Sequence, residues 1–128
     1  MKKITGVVVT TDNKVYKKDF DYPLFRSIGR AVGGPIEDTF PKFLPAPYCM
    51  VVNEEGLNRG LELNIAGSIL YASFIHGSPI VGNVVFLKMV PTKDGDDLTG
   101  LNEDDIYFIS NLISKITNGR AKYVELCD

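Results

Sequence analysis

The chain has 128 residues, the common size of one domain and too few for two ordinary ones. Hydrophobic residues make up 45% and charged residues 23% of the sequence, and a domain of this size and composition needs no disulfide or metal to fold. The net charge of −2 argues against generic binding of nucleic acid, which requires concentrated lysine and arginine.

The N-terminal part of the sequence predicts a β-hairpin followed by a helix. Valine, isoleucine and threonine dominate residues 3–10, a turn is favoured at 12–13, and residues 15–20 alternate apolar and charged side chains. The lysines of this second strand are typical of a sheet edge that avoids pairing with a neighbour. Apolar residues then recur at helical spacing over 24–32, and the glycine pair at 33–34 ends the helix.

The middle of the sequence predicts one extended connection, one buried strand and one helix. Four prolines within residues 35–47 leave room for a short edge strand at most. The apolar run 48–53 is typical of a buried strand, and residues 53–56 favour a turn at its end. Asn64 belongs to the residue types favoured at helix N-caps, so a second helix is expected over 65–74.

The C-terminal part predicts the central strand and the longest helix. Residues 80–90 form the longest strand candidate, whereas residues 91–100 are polar and predict a loop. Asn102 and the three acids after it favour a helix start. The buried stripe expected on this helix is Ile106, Ile109, Leu112, Ile113 and Ile116. Residues 121–126 predict a short final strand.

These elements together predict the α+β class. The first two strands and the middle strands are expected to be joined by turns too short for parallel crossovers, so the sheet is expected to be antiparallel or mixed. Two or three helices are expected to pack on one face of it. The predicted architecture is a single α+β domain covering residues 1–128.

Cysteine content and hydropathy indicate the cellular compartment. Cys49 and Cys127 are too few and too far apart for a disulfide framework, and both are expected to be reduced. Cys49 lies in an apolar run, where a small buried hydrophobe is the expected role. No apolar stretch approaches the roughly 18 residues that span a bilayer. The sequence therefore predicts a cytoplasmic protein that makes no membrane contact.

The residue types required by common catalytic and metal sites are scarce. His76 is the only histidine, and its position at a helix end favours a bond to the last carbonyl groups. One histidine and two cysteines cannot supply the ligands of a structural zinc site. The acids within 94–105 do not match a calcium loop, and three of them suit a helix start. We therefore predict no catalytic residue, no metal and no cofactor.

The glycine pair at the end of the first helix is one candidate binding element. Gly33 and Gly34 would leave backbone N–H groups free for an anion, and Arg26 and Arg30 lie within two turns upstream. In the other interpretation the two glycines serve only to end the helix. The sequence leaves both open.

Polar residues at other element ends complete the candidate ligand-binding set. Glu37, Asn53, Glu54, Glu55 and Asn64 are not needed to fill a core, and a rigid scaffold commonly presents binding residues at such positions. Glu37 paired with Glu54 or Glu55 could also perform acid–base chemistry. Turn formation and helix capping explain the same residues without any ligand.

Five short motifs occur in a fixed order along the chain. They are Val32-Gly33-Gly34-x-Ile36-Glu37, Asn53-Glu54-Glu55-Gly56, Asn64-x-x-Gly67, Ile80-Val81-Gly82-Asn83-Val84-Val85 and Leu98-Thr99-x-Leu101. On these motifs the chain resembles an uncharacterised bacterial and phage family, the domain of unknown function 3846, over roughly residues 24–116.

The resemblance implies a gene carried on phages or other mobile elements, without an established activity. It favours a non-catalytic binding protein that occupies a host protein or binds a small anionic, nucleotide-like ligand. A homodimer is compatible with this expectation. The alternatives are a small carboxylate-dependent enzyme and a nucleic-acid-associated accessory protein, and the acidic balance argues against the second of these.

Overall fold

The computed structural model describes residues 2–125. Its strands and helices, in chain order, are β1 Lys3–Val9, β2 Lys14–Asp21, α1 Leu24–Val32, β3 Ile36–Thr39, β4 Tyr48–Asn53, α2 Ile65–Leu70, α3 Ser73–His76, β5 Val84–Thr92, β6 Gly95–Thr99, α4 Glu103–Ile116 and β7 Lys122–Tyr123. The N-terminal hairpin, the first helix, the edge strand, the buried fourth strand and the last helix are all confirmed.

The described strands form one mostly antiparallel sheet in the order β3-β4-β5-β1-β2-β7. Strand β5 lies between β4 and β1, and its C-terminal half pairs with β6. Only the short β2–β7 ladder is parallel among these pairings. The sheet and its helices confirm the predicted α+β class, with β5 as the central strand.

Helices cover both faces of the sheet. One apolar cluster contains Phe86 together with Ile109 and Ile113 of α4, and α2 contributes to the same face. The other cluster contains Leu87 together with Ile28 of α1. Two helices, α2 and α4, therefore share one face as expected, but α1 covers the opposite face, which the sequence did not predict. The central strands are continuously apolar, as strands buried on both faces are, so both faces require a cover.

The predicted helix over 65–74 is divided in two. Ala72 has a left-handed backbone (φ 63°) and separates α2 from the single turn of α3. Its side chain is fully buried. The change of direction at Ala72 places Phe74 and Ile75 on the surface, where they are 71% and 62% exposed.

The predictions for β5 and for the segment after it also require correction. The strand begins at Val84 because Gly82 has a left-handed backbone (φ 79°), and its N–H donates to the Glu62 carbonyl 2.7 Å away. Residues 91–100 are not a loop, since Gly95–Thr99 forms β6 and pairs with β5. The turn signal of this hairpin was Asp94-Gly95, a sequence typical of tight β-turns.

Candidate binding surfaces

The glycine pair ends α1 and leaves no free backbone donor there. The N–H groups of Gly33 and Gly34 both donate to the Gly29 carbonyl, at 2.8 and 3.0 Å. Gly33 has the left-handed backbone (φ 87°) that commonly terminates a helix. The predicted role of these two N–H groups in anion binding therefore requires correction, because the helix end already uses them.

Side chains from the turn after β4 hold the end of α1 in place. The Asn53 amide donates to the Val32 carbonyl at 3.2 Å, and its oxygen accepts from the Glu55 N–H at 2.8 Å. Arg59 donates from Nη1 to the Gly33 carbonyl at 2.5 Å. A cation at this position also suits the negative end of the helix dipole. Arg59 was not predicted, because the segment around it carries no regular pattern.

Asn64 is fully buried, and its side chain makes three hydrogen bonds inside the protein. The amide nitrogen donates to the carbonyls of Val9 and Gly82, at 3.0 and 2.9 Å. The side-chain oxygen accepts from the Gly67 N–H at 2.9 Å, which confirms the predicted N-cap. Since these bonds use both donors and the oxygen, Asn64 positions the backbone and does not face a ligand.

Two of the predicted carboxylate residues line the same groove. Glu37 of β3 and Glu54 of the following turn both line a depression of about 190 Å³, together with Tyr71. Glu55 is exposed and does not line this groove. The structure therefore brings together one of the pairs that acid–base chemistry would need, and the carboxylate-enzyme alternative stays a prediction.

Arg30 and Gly33 line a second groove, of about 330 Å³, beside the C-terminal end of α1. Residues that were not predicted complete its polar lining, namely Thr11, Glu62 and Asn83. Arg26 lies one turn earlier on α1, outside this groove, with its guanidinium 6.0 Å from the centre of the Phe25 ring. The structure thus separates the two predicted arginines.

An exposed aromatic surface lies outside the predicted site. The rings of Phe43 and Phe74 stack with their centroids 6.1 Å apart and their planes 14° apart. Phe43 remains 45% exposed and Phe74 71% exposed, and Ile75 follows on the same helix. We call Phe43, Phe74 and Ile75 the aromatic surface. Its two halves come from the proline-rich connection and from α3, so the sequence alone did not bring them together.

A polar cluster links β4, β5 and α4. The Tyr48 hydroxyl donates to the Asp105 carboxylate at 2.6 Å, and Lys88 pairs with the same carboxylate at 2.8 Å. Burial, followed by the hydrogen bond and charge of Asp105, raises the pKa of Tyr48 to about 12. The Tyr48 ring also stacks on Phe108, at 5.6 Å between centroids. These groups bond to one another and fasten α4 to the sheet.

The side chains of Cys49 and His76 both have structural roles. Cys49 is fully buried, and burial is the main cause that raises the pKa of its thiol to about 12. A thiol with that pKa is protonated at neutral pH and unreactive. His76 Nε2 lies 3.1 Å from the Tyr71 carbonyl, and its Nδ1 accepts from the Ser78 N–H. Cys127 lies outside the described residues.

Residues 2–125 hold no side-chain cluster suited to a metal ion and no helix suited to crossing a membrane. That range contains no group of three or more histidine, cysteine, aspartate or glutamate side chains arranged to hold a metal ion. None of the helices in the same range is long and apolar enough to cross a membrane.

Comparison with known proteins places the fold and the family. One similar solved structure is the crystal structure of small RNA methyltransferase HEN1, with a TM-score of 0.55 and 15% sequence identity. The match covers 84% of this chain but only 16% of that chain, and at this identity it shows the fold alone. No curated protein matches the sequence. The family model described as Domain of unknown function (DUF3846) matches residues 3–114, so the chain belongs to this family, as its five motifs had indicated.

Proposed function

We propose that this protein is a non-catalytic binding module that docks another protein on its aromatic surface. The observation that supports the proposal is the Phe43–Phe74 stack, in which both rings are packed against each other yet stay 45% and 71% exposed. We infer a host protein as the partner class, from the mobile-element origin that the family resemblance implies.

The exposure of these side chains is unfavourable in an isolated chain. Removing a phenylalanine or isoleucine side chain from water stabilises a complex by about 1.5–3 kcal/mol when burial is complete. Contiguous apolar groups at the surface of a folded protein mark interaction sites, and aromatic residues are enriched at the centres of interfaces. The stacked Phe43 and Phe74 rings, with Ile75 next along the chain, can therefore supply much of the affinity of a small interface.

The backbone beneath the aromatic surface is held by hydrogen bonds. The Phe43 N–H donates to the Leu70 carbonyl at 3.0 Å, which fastens the proline-rich connection to the end of α2. The Gly77 N–H donates to the Ser73 carbonyl at 2.6 Å and closes the turn of α3. A surface fixed in this way loses little conformational entropy on binding, which favours affinity.

A capture experiment with matched variants tests the proposal. Tagged wild type, Phe74→Ser and Phe25→Ser would be incubated with host lysate, and retained proteins would be quantified by mass spectrometry. Phe25 is the control because it is 65% exposed but lies on α1, across the sheet. We expect a protein that wild type and Phe25→Ser retain equally and Phe74→Ser retains at least about tenfold less, a loss of about 1.4 kcal/mol.

Two outcomes would contradict the proposal. Equal retention by all three proteins would place the interface elsewhere. A dimer in light scattering that is lost only in Phe74→Ser would show that a second copy of the chain occupies the surface.

A further inference from the structure

The groove beside the end of α1 has the size and lining of a small-ligand site. Its volume is about 330 Å³, at the lower end of the range of about 300–1,000 Å³ for small-molecule pockets. Apolar groups of Ala31, Val32 and Leu61 form part of its wall. The remaining wall carries one cation and one anion, Arg30 and Glu62, with Thr11 and Asn83.

The two charged groups of this groove are free of internal partners in the described part of the chain. Neither Arg30 nor Glu62 takes part in any of the ion pairs formed among residues 2–125. The Asn83 side-chain oxygen accepts from the Thr11 N–H at 3.1 Å, which fixes the orientation of its amide. The Asn83 Nδ2 donor is left without a partner in the same range. The groove therefore offers hydrogen-bond donors from the Arg30 guanidinium and the Asn83 amide, and one carboxylate, that of Glu62.

Internal hydrogen bonds hold the walls of the groove in fixed positions. Asn64 bridges the carbonyls of Val9, two residues before Thr11, and of Gly82, next to Asn83. The Gly82 N–H bonds to the Glu62 carbonyl at 2.7 Å, so the backbones that carry Thr11, Glu62 and Asn83 are tied together.

The opposite wall of the groove is equally constrained. Asn53 and Arg59 bond to the carbonyls of Val32 and Gly33, two and three residues after Arg30. A site held on both sides requires little ordering when a ligand enters, which favours its affinity.

We propose that this groove binds a small molecule that carries both an anionic group and an amine. The anionic group would lie against the guanidinium of Arg30, which can donate two parallel hydrogen bonds to a carboxylate or phosphate. The amine would donate to the Glu62 carboxylate. An anion without an amine would leave the Glu62 carboxylate without a donor, and an amine without an anion would leave Arg30 without an acceptor, so the groove selects molecules that present both groups.

The proposal is independent of the aromatic surface, because the two sites share no residue. Two sources share an anionic group and an N–H donor, namely free α-amino acids, whose ammonium is charged, and nucleoside monophosphates, whose exocyclic amino group is a neutral donor. The competing account is that Arg30 serves only to stabilise the C-terminal end of α1, where it lies in the last turn. That account requires no ligand, and it predicts that Arg30 variants lose only stability.

Titration calorimetry of the purified full chain separates these accounts. One arm uses AMP, CMP and GMP, a second uses glycine, alanine and glutamine, and inorganic phosphate serves as the anion without an amine. Arg30→Gln and Glu62→Gln are the test variants. Arg26→Gln is the matched control, since it removes a charge from the same helix outside the groove.

We expect saturable binding in one of the two arms and at least tenfold weaker binding of phosphate. Arg30→Gln and Glu62→Gln should each weaken the amine-bearing ligand about tenfold or more, while Arg26→Gln leaves it unchanged. Three results would overturn the proposal: no saturable binding in either arm at millimolar concentration, binding unaffected by Glu62→Gln, or phosphate binding as tight as that of the amine-bearing ligands. The melting temperature of each variant identifies a loss that comes from unfolding.

Discussion

Asp105 connects three parts of the chain through one buried carboxylate. It accepts hydrogen bonds from the Tyr48 hydroxyl at 2.6 Å, from Lys88 at 2.8 Å and from the Asn102 N–H at 2.9 Å. Burial acts to raise the pKa of Asp105, but the bonds from Lys88 and Tyr48 outweigh it. The pKa therefore lies below its ordinary value of 3.8.

This shift predicts how Asp105→Asn changes the dependence of stability on pH. A carboxyl group whose pKa is lower in the folded state stabilises the fold above its unfolded pKa, and loses that contribution as the pH falls through the folded value. Asp105→Asn should lower the free energy of unfolding by about 1.5–3 kcal/mol at neutral pH. The difference from wild type should shrink below about pH 4.

Urea unfolding at neutral and acid pH measures this difference. Asp104→Asn is the control, because Asp104 is an exposed acid of the same first helical turn. A loss in Asp105→Asn that stays constant from neutral to acid pH would show that the carboxylate charge contributes nothing.

Asn53 and Asn64 show why the candidate site was only partly predictable from the sequence. Their positions at element ends were correctly identified, but both side chains turn inward and are at most 5% exposed. Asn64 bonds to Val9, 55 residues away in sequence, and to Gly82. The carbonyls that accept these hydrogen bonds come from distant segments that pack together. No local sequence pattern therefore predicts the bonds. Arg30 and Gly33, by contrast, were predicted and do line a groove.

At the scale of elements, α4 was predicted closely because its signals are local. Asn102 and Asp105 form a capping box at its start, and the apolar stripe continues along the whole helix. The strand β6 carries no such signal. Its sequence Gly-Asp-Asp-Leu-Thr has little intrinsic preference for strands, and it forms because β5 offers a free edge, with Leu98 opposite Met89.

The packing of α4 on the sheet predicts a graded response to truncation along the helix. Ile109 is fully buried in the cluster that contains Phe86, whereas Leu112 is only partly buried against it. Ile109→Ala should therefore lower the free energy of unfolding by about 2–5 kcal/mol, and Leu112→Ala by less. Denaturant unfolding of both variants measures the difference. Equal losses, or a loss near zero for Ile109→Ala, would show that α4 does not close this part of the core.

At the scale of the whole molecule, the sheet is an internal layer between α1 on one side and α2 with α4 on the other. Phe43, Phe74 and Ile75 of the aromatic surface belong to neither core cluster, so they can vary without opening this three-layer core. The sequence predicted the class correctly from strand connections. It did not predict that helices cover both faces of the sheet. The face on which each helix packs is decided by long-range contacts, which no local pattern contains.

The distribution of charge over the molecule predicts weak binding to duplex DNA. The N-terminal hairpin carries several lysines, but Lys3, Lys14 and Lys17 each lie within 3.8 Å of a carboxylate. Phosphate groups would have to displace these acids, and the net charge of the chain is −2. Because 16 acids outnumber 14 lysines and arginines, counterion release yields little affinity at physiological salt.

Fluorescence anisotropy with a labelled duplex would measure this interaction. At about 150 mM salt, where charges are screened beyond about 8 Å, we expect no saturation at micromolar protein. Any binding at low salt should weaken steeply as salt is added, because it would come from contacts between phosphates and surface lysines and arginines. Tight binding at physiological salt would contradict this prediction if Lys17→Glu and Lys18→Glu abolished it. Such binding would require the hairpin lysines to release their carboxylate partners and present a basic face to the duplex.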